Sequence, residues 1–246
     1  MAGVSLLVVI PARFQSSRFP GKPLADLGGS PLIEHVWRRC CEAVDARDVV
    51  IATDDDRIAA VASVFGAVVE MTSSACLTGT DRVAEVAARR CADWYVNVQG
   101  DEPFVDPVAI RTVIRRAQAT NPDIVAINAM SVITDEASFR SETVPKPVTD
   151  ISGRLMYMSR AAIPTDKELR FRSAFRQVGL YAFRSRALSL YQPGATKSTL
   201  EEIEDIEILR LLEAGLSVQM VEVPASGIAV DTPEDLDHAR SLIERY

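Results

Sequence analysis

Between Pro11 and Lys22 the chain reads PARFQSSRFPGK, which sets Arg13, Arg18 and Lys22 around the hydroxyls of Ser16 and Ser17 and a glycine, Gly21. That mixture suits a polyphosphate. Guanidinium forks and an ammonium neutralise charge, and backbone N–H groups beside small residues can approach phosphate oxygens closely. Neither the GxGxxG spacing of a dinucleotide site nor the GxxxxGK[ST] spacing of a P-loop occurs in it. A solvated basic loop before a PGKP turn is the competing explanation. The loop's place directly behind the apolar run Leu6-Leu7-Val8-Val9-Ile10 favours the chemical one.

Acidic residues follow other apolar runs. Asp101 stands in NVQGDEP and Asp231 in VDTPEDL. Carboxylates at two strand ends can share one Mg²⁺ that also bridges phosphate oxygens, neutralising charge on an α-phosphate and its leaving group. Asp101 can equally be a turn residue before Pro103, and Asp231 a cap for a helix starting at Thr232-Pro233. Thr78-Gly79-Thr80-Asp81-Arg82 offers backbone amides and Arg82 to a base or phosphate, against a plain glycine turn and helix cap. Asp54, behind Val49-Val50-Ile51-Ala52, has the same two explanations.

The elements that would position these groups alternate. Short apolar strands are predicted over residues 4–10, 49–52, 67–71, 94–98, 124–130 and 218–223. Helices are predicted over 31–43 with Ser30 as N-cap, 53–65, 80–90, from Asp106-Pro107 onward, 200–214 up to Gly215, and 232–245. This is the pattern of an α/β fold: a mainly parallel sheet with helices on both faces and right-handed crossovers. Residues 144–191 depart from it, with strand-like pieces at 155–158 and 178–183 flanking a charged loop, 166–176. They predict a small antiparallel lobe within a single domain over 1–246. Ligands of such sheets bind beyond the carboxyl ends of the strands, where all the groups above fall.

Composition narrows the function classes. With 48% hydrophobic and 25% charged residues, the 246-residue chain can bury a sizeable core. A net charge of −7 argues against nucleic acid as a partner. The first apolar run is too short for a membrane span and lacks the flanks of a signal peptide, so no membrane partner and a cytoplasmic location are expected. Cys40, Cys41, Cys76 and Cys91 show no CxxC spacing and read as buried thiols. Two histidines, His35 and His238, supply little for zinc or nucleophilic chemistry. The apolar positions Leu200, Ile203, Ile206, Leu209 and Leu212 predict one packed helix, with the acids among them on a solvated face and Glu207 the exception.

In order along the chain, PARFQSSRFPGKPL, ATDDDRI, TGTDRVAEV, VNVQGDEP, MSRAAIP, VGLYAFR and VDTPEDL resemble the motifs of the 3-deoxy-manno-octulosonate (KDO) cytidylyltransferases, over about Leu6 to Leu236. The resemblance implies a nucleotide-diphospho-sugar transferase type of α/β fold and a homodimer. It implies that CTP reacts with a 2-keto-3-deoxy sugar acid to give a CMP-sugar and pyrophosphate, with Mg²⁺ as cofactor. By the same resemblance Arg13, Lys22, Asp101 and Asp231 are catalytic, the two aspartates holding the metal. Pro11, Ala12, Arg13, Ser16, Lys22, Ala52, Asp54, Gly79, Thr80 and Arg82 surround the nucleotide, and Gln99, Arg160, Gln177, Tyr181 and Glu207 face the sugar. The lobe at 144–191 serves the sugar side and dimerisation.

Three places depart from the family pattern, the first being Pro145-Lys146-Pro147-Val148, where a VKVV-like strand is usual and the two prolines remove ladder donors. Gln177 stands where a histidine is usual, and Ile208 stands where a glutamine is usual in LEQLR. Two alternatives stay open: a different ulosonic acid as substrate, such as an amino-KDO or a nonulosonic acid, and a non-catalytic nucleotide-binding subunit.

Overall fold

In the computed structural model, which describes residues 5–16, 18–192, 194–224 and 227–243, the first apolar run forms β1 (Leu6–Ala12). Val4, Ser17 and Arg245, expected in a strand, the basic loop and the last helix, lie outside the described residues. A 3-10 turn at Lys22–Leu24 leads to a hairpin of β2 (Asp26–Leu27) and β3 (Ser30–Pro31), then to helix α1 (Leu32–Ala43). Strands and helices then alternate through β4 (Val49–Thr53), α2 (Asp56–Val64), β5 (Val68–Met71), α3 (Gly79–Ala87), β6 (Trp94–Val98), α4 (Pro107–Ala119) and β7 (Ile124–Val132). There follow α5 (Glu136–Arg140), β8 (Lys146–Thr149), β9 (Leu155–Ser159), β10 (Phe175–Phe183), α6 (Ser185–Leu188), α7 (Thr199–Glu204), α8 (Leu209–Glu213), β11 (Ser217–Glu222) and α9 (Pro233–Ile243).

Seven strands make one sheet in the order β11-β7-β10-β6-β1-β4-β5. All neighbouring pairs are parallel except the two made by β10, which runs antiparallel between β6 and β7. Both faces are covered, which is why β1 is a continuous apolar run rather than an alternating one. Val8 and Ile10 pack on one face with Leu32 and Val36 of α1 and Ile110 of α4. Leu7 and Val9 pack on the other with Val83 and Val86 of α3, Leu188 and Leu209. Among the described residues, no helix is long and apolar enough to cross a membrane.

Four expectations need correction. Ser30 does not cap α1: it pairs with Leu27 in the β2–β3 hairpin, and Pro31 occupies the cap position without a side-chain bond. Strand β10, expected in the small antiparallel lobe, lies in the main sheet; of the strands in that region, β8 and β9 pair apart from it. The thiol of Cys91 is exposed, whereas those of Cys40 and Cys76 are buried.

The fourth correction concerns the late helix, which is broken. Asp205 takes a left-handed conformation (φ 51°) between α7 and α8, and Ile203 is 74% exposed instead of packed. Bonds from outside the segment are made to the break. Arg160 donates from Nε to the Glu204 carbonyl at 2.6 Å and from Nη2 to the Asp205 carbonyl at 3.1 Å. These bonds satisfy carbonyls that a continuing helix would otherwise pair.

Candidate functional site

Strands β1, β4 and β6 are parallel, so their carboxyl ends meet on one edge of the sheet, where a cleft of about 540 Å³ opens. Pro11, Ala12, Arg13, Ser16, Arg18 and Lys22 line one side of it. The loop after β1 closes on itself. Gly21 N–H donates to the Phe14 carbonyl at 2.9 Å, Phe19 N–H donates to Ser16 Oγ at 3.3 Å, and the Arg57 guanidinium covers the Phe14 ring at 3.4 Å. Gly21 has a φ of 74° and sits against that ring, so glycine is required there for both conformation and space.

This closure aims Lys22 inward. Its Nζ lies 2.8 Å from Asp101 Oδ2 and 3.1 Å from Asp231 Oδ1, and Arg18 lies 3.4 Å from the same Asp231 oxygen. The two carboxylates come from distant parts of the chain, tied by a bond from Val230 N–H to the Asp101 carbonyl at 2.8 Å. Before Asp101, Gly100 lets β6 approach β1: a Cβ there would lie 2.5 Å from the Pro11 carbonyl oxygen. Helix capping does not use Asp231. Asp235 Oδ2 accepts from the Asp231 and Thr232 N–H groups at 2.9 Å each, and Asp235 N–H donates to Thr232 Oγ1 at 3.2 Å. The side chain of Asp231 is left for the cleft.

The TGTDR segment divides its labour. Thr78 and Asp81 form a reciprocal capping box for α3, so Asp81 is structural. Gly79 and Arg82 line the cleft. Arg82 is 2% exposed; it donates to Thr72 Oγ1 and lies 3.4 Å from Asp54 Oδ2. Asp54 Oδ1 is buried and has no partner among the described residues. Ala52 and Thr80 are buried beneath the cleft rather than lining it.

A cytidylyltransferase family model matches residues 7–220. The chain is 42% identical over 242 residues to the 3-deoxy-manno-octulosonate cytidylyltransferase of Syntrophotalea carbinolica, covering 95% of this chain and 96% of that one. It is also 42% identical to the Geobacter sulfurreducens protein of the same name, covering 95% and 97%. This chain belongs to the 3-deoxy-manno-octulosonate cytidylyltransferase family. A solved structure of CMP:2-keto-3-deoxy-manno-octonic acid synthetase complexed with CTP superposes with a TM-score of 0.91 at 35% identity, over 98% of this chain and 99% of that one. A putative glucose-1-phosphate thymidylyltransferase from Bacillus anthracis, at 19% identity and TM-score 0.67, shares the fold.

Within that family frame, the residues expected to face a sugar separate into three groups. Gln99 and Glu207 line the cleft. Glu207 is carried there by the break between α7 and α8. Burial pushes its carboxyl up to about 7; the Thr80 hydroxyl and the more distant Arg210 pull it down, and Asp81 and Glu201 raise it. Tyr181 and Gln177 are bonded to each other at 3.1 Å. Arg160 is not in the cleft: Nε, Nη1 and Nη2 all donate to backbone carbonyls, of Glu204, Glu142 and Asp205.

The cleft also contains an ion pair that the sequence did not flag, Lys197 Nζ to Asp205 Oδ1 at 2.8 Å. Asp205 was read as one acid among several on a solvated helix face. Only the break turns it and Glu207 toward the same opening. Ile208 is buried in the core beside Leu209, so its side chain has no access to a ligand.

Proposed function

We propose that this chain transfers the cytidylyl group of CTP to the anomeric hydroxyl of KDO, releasing pyrophosphate, with Mg²⁺ as cofactor. The observation that carries it is the convergence of Lys22, Asp101 and Asp231 at the mouth of the cleft, next to Arg13 and Arg18. The hydroxyl oxygen attacks the α-phosphorus in line; the bond from that phosphorus to the bridging oxygen breaks, and the hydroxyl proton leaves to solvent. Arg13, Arg18 and Lys22 hold the triphosphate and neutralise the departing pyrophosphate. Alignment and charge neutralisation supply the rate without a covalent enzyme intermediate.

Asp101 and Asp231 suit a magnesium ion. They are hard oxygen donors, and an ammonium group already bonds to both, so their charges converge on one cationic position. Among the described residues no cluster of three or more His, Cys, Asp or Glu could hold a metal by itself. Phosphate oxygens of the nucleotide would complete the shell, so metal and CTP bind together. Once bound, the ion polarises the phosphate oxygens.

Gln99, Glu207 and Tyr181 face the sugar acid, with Gln177 behind them. Ala52, Asp54, Thr80, Arg82, Pro11, Ala12, Ser16 and Gly79 form the nucleotide side. Arg160 serves the sugar side indirectly, by holding the helix break. A homodimer in the cytoplasm completes the proposal; exposed Val132 and Met156, on β7 and β9, are apolar surface available to a second copy. Pyrophosphate release measured with CTP, Mg²⁺ and KDO tests the reaction, and no release with the folded protein overturns it.

One observation favours a second reading. Ile208 gives the core a side chain where the family offers an amide, which favours a relative of KDO as substrate. The same assay across a panel of amino-KDO and nonulosonic acids decides: preference for KDO by a wide margin rejects this alternative.

A further inference from the structure

Gln177 sits on β10 where the register of that strand against β7 shifts, between Gln177 and Tyr181. Around this irregularity the carbonyls of Val178 and Leu180 both accept from Asn128 Nδ2, at 2.9 and 3.1 Å. A carbonyl oxygen can only accept, so the –NH₂ group of Asn128 must face them, and its Oδ1 must face the other way. Asn128 Oδ1 accepts from Gln177 Nε2 at 2.9 Å. The second hydrogen of that nitrogen is directed to Tyr181 Oη, 3.1 Å away. Tyr181 Oη is therefore an acceptor toward Gln177, and its own hydrogen points elsewhere.

Burial raises the pKa of the Tyr181 hydroxyl, and the charges of Glu207 and Glu102 raise it further, so the hydrogen stays on the oxygen. Among the described residues neither carboxylate is hydrogen-bonded to that hydroxyl, and Glu207 Oε2 is buried with no partner. The Tyr181 hydrogen and the Glu207 oxygen are thus a donor and an acceptor left unfilled among the described residues, and a hydroxyl group needs one of each. Sugar acids carry several.

We infer that Gln177 is a positioning residue: it fixes the Tyr181 hydroxyl as a donor, so that Tyr181 and Glu207 together read one hydroxyl of the sugar acid. The inference rests on the reaction proposed above. It assigns to this chain's departure from the family pattern a function in orienting another side chain, with no contact to substrate of its own.

A double-mutant cycle tests it, using the full chain with CTP, Mg²⁺ and KDO, and thermal unfolding as a check on folding. Gln177→Met keeps the shape and removes both donors. It is expected to raise KM for KDO about five- to tenfold, the effect of one hydrogen bond, and to leave KM for CTP unchanged. Tyr181→Phe is expected to raise KM for KDO by a similar factor, and the double variant by no more than Tyr181→Phe alone. An unchanged KM for KDO in Gln177→Met, or the same fold-increase whether or not Tyr181 is present, overturns the inference.

If Gln177→Met fails to fold, Gln177→Glu replaces it in the cycle. Its carboxylate takes the tyrosine hydrogen and reverses the bond, so the rise in KM should be larger than for Gln177→Met, and an unchanged KM rejects the inference. Failure of the wild-type protein to release pyrophosphate overturns the proposed reaction itself, and this inference with it.

Discussion

The wall of the cleft proposed to hold phosphate is drawn mainly from the consecutive residues Pro11 to Lys22, whereas the wall proposed to face the sugar is assembled from β6, β10 and the two halves of an interrupted helix. The first wall is a loop that closes by bonds within itself, after which Lys22 meets Asp101 and Asp231. On the second, Glu207 reaches the cleft at a helix break whose carbonyls are bonded by Arg160, far away in sequence. A wall made by local geometry tolerates change elsewhere in the molecule. A wall made by long-range contacts depends on them.

The largest expected effect is on the phosphate wall. Asp101→Asn removes a carboxylate that Lys22 and a magnesium ion both need, and turnover should fall about a thousandfold or more while the thermal unfolding midpoint stays close to that of the wild type. Steady-state kinetics over a magnesium titration check this. Activity retained at ordinary magnesium concentrations would remove Asp101 from the metal site.

Next comes a break in the other wall. Glu201 and Arg210 form a buried pair, with bonds of 2.6 and 2.8 Å, that ties α7 to α8 across the interruption; Glu201 is 1% exposed. Glu201→Gln leaves the Arg210 charge buried against Tyr191 and should cost about 3 kcal/mol of stability. Chemical denaturation measures it. A loss below about 1 kcal/mol would mean that the two halves are held by packing alone.

A smaller effect separates charge from shape at Glu207. Burial raises its pKa from 4.5 to about 7. Between those values the folded chain keeps a proton that the unfolded chain has released, so this group's contribution to stability is lost as pH rises through that window. Glu207→Gln removes this dependence. Its unfolding midpoint should therefore fall less than that of the wild type from pH 5 to pH 8. Glu102, raised to about 7 in the same direction by burial and by Asp101, contributes equally to both proteins. Parallel curves would place Glu207 in a more solvated setting than the structure shows.

The smallest effect is at Arg18, whose side chain is largely exposed at 3.4 Å from Asp231. Arg18→Ala should change stability by less than about 1 kcal/mol, as expected of a solvated pair, and should raise KM for CTP without altering KM for KDO. A change in the KM for KDO would show that the two walls are not independent.

The sequence made the phosphate wall legible because its signals are local: an apolar run, then cations, small residues and a glycine at a turn. It also identified Asp231, although its role stayed divided between a cap and the cleft until Asp235 was seen to take the capping bonds. The helix break was not legible. Leu200, Ile203, Ile206, Leu209 and Leu212 keep helical spacing, and neither glycine nor proline marks the interruption at Asp205. Strand β10 was recognised as a strand but not as a member of the main sheet, since alternation reports a buried face and says nothing about which neighbours pair with it.

What the sequence determined alone is the α/β alternation and the family. These rest on hydrophobic period and on side-chain types at short spacing, which neighbouring residues fix. What the tertiary structure decided is the far wall: that Lys197 and Asp205 line the cleft, that Arg160 bonds to the carbonyls at the helix break, and that Gln177 bonds to Asn128 and Tyr181. Each depends on an arginine, an amide or a strand brought from a distant part of the chain, and the direction of those bonds is set only when the donors and acceptors are packed together.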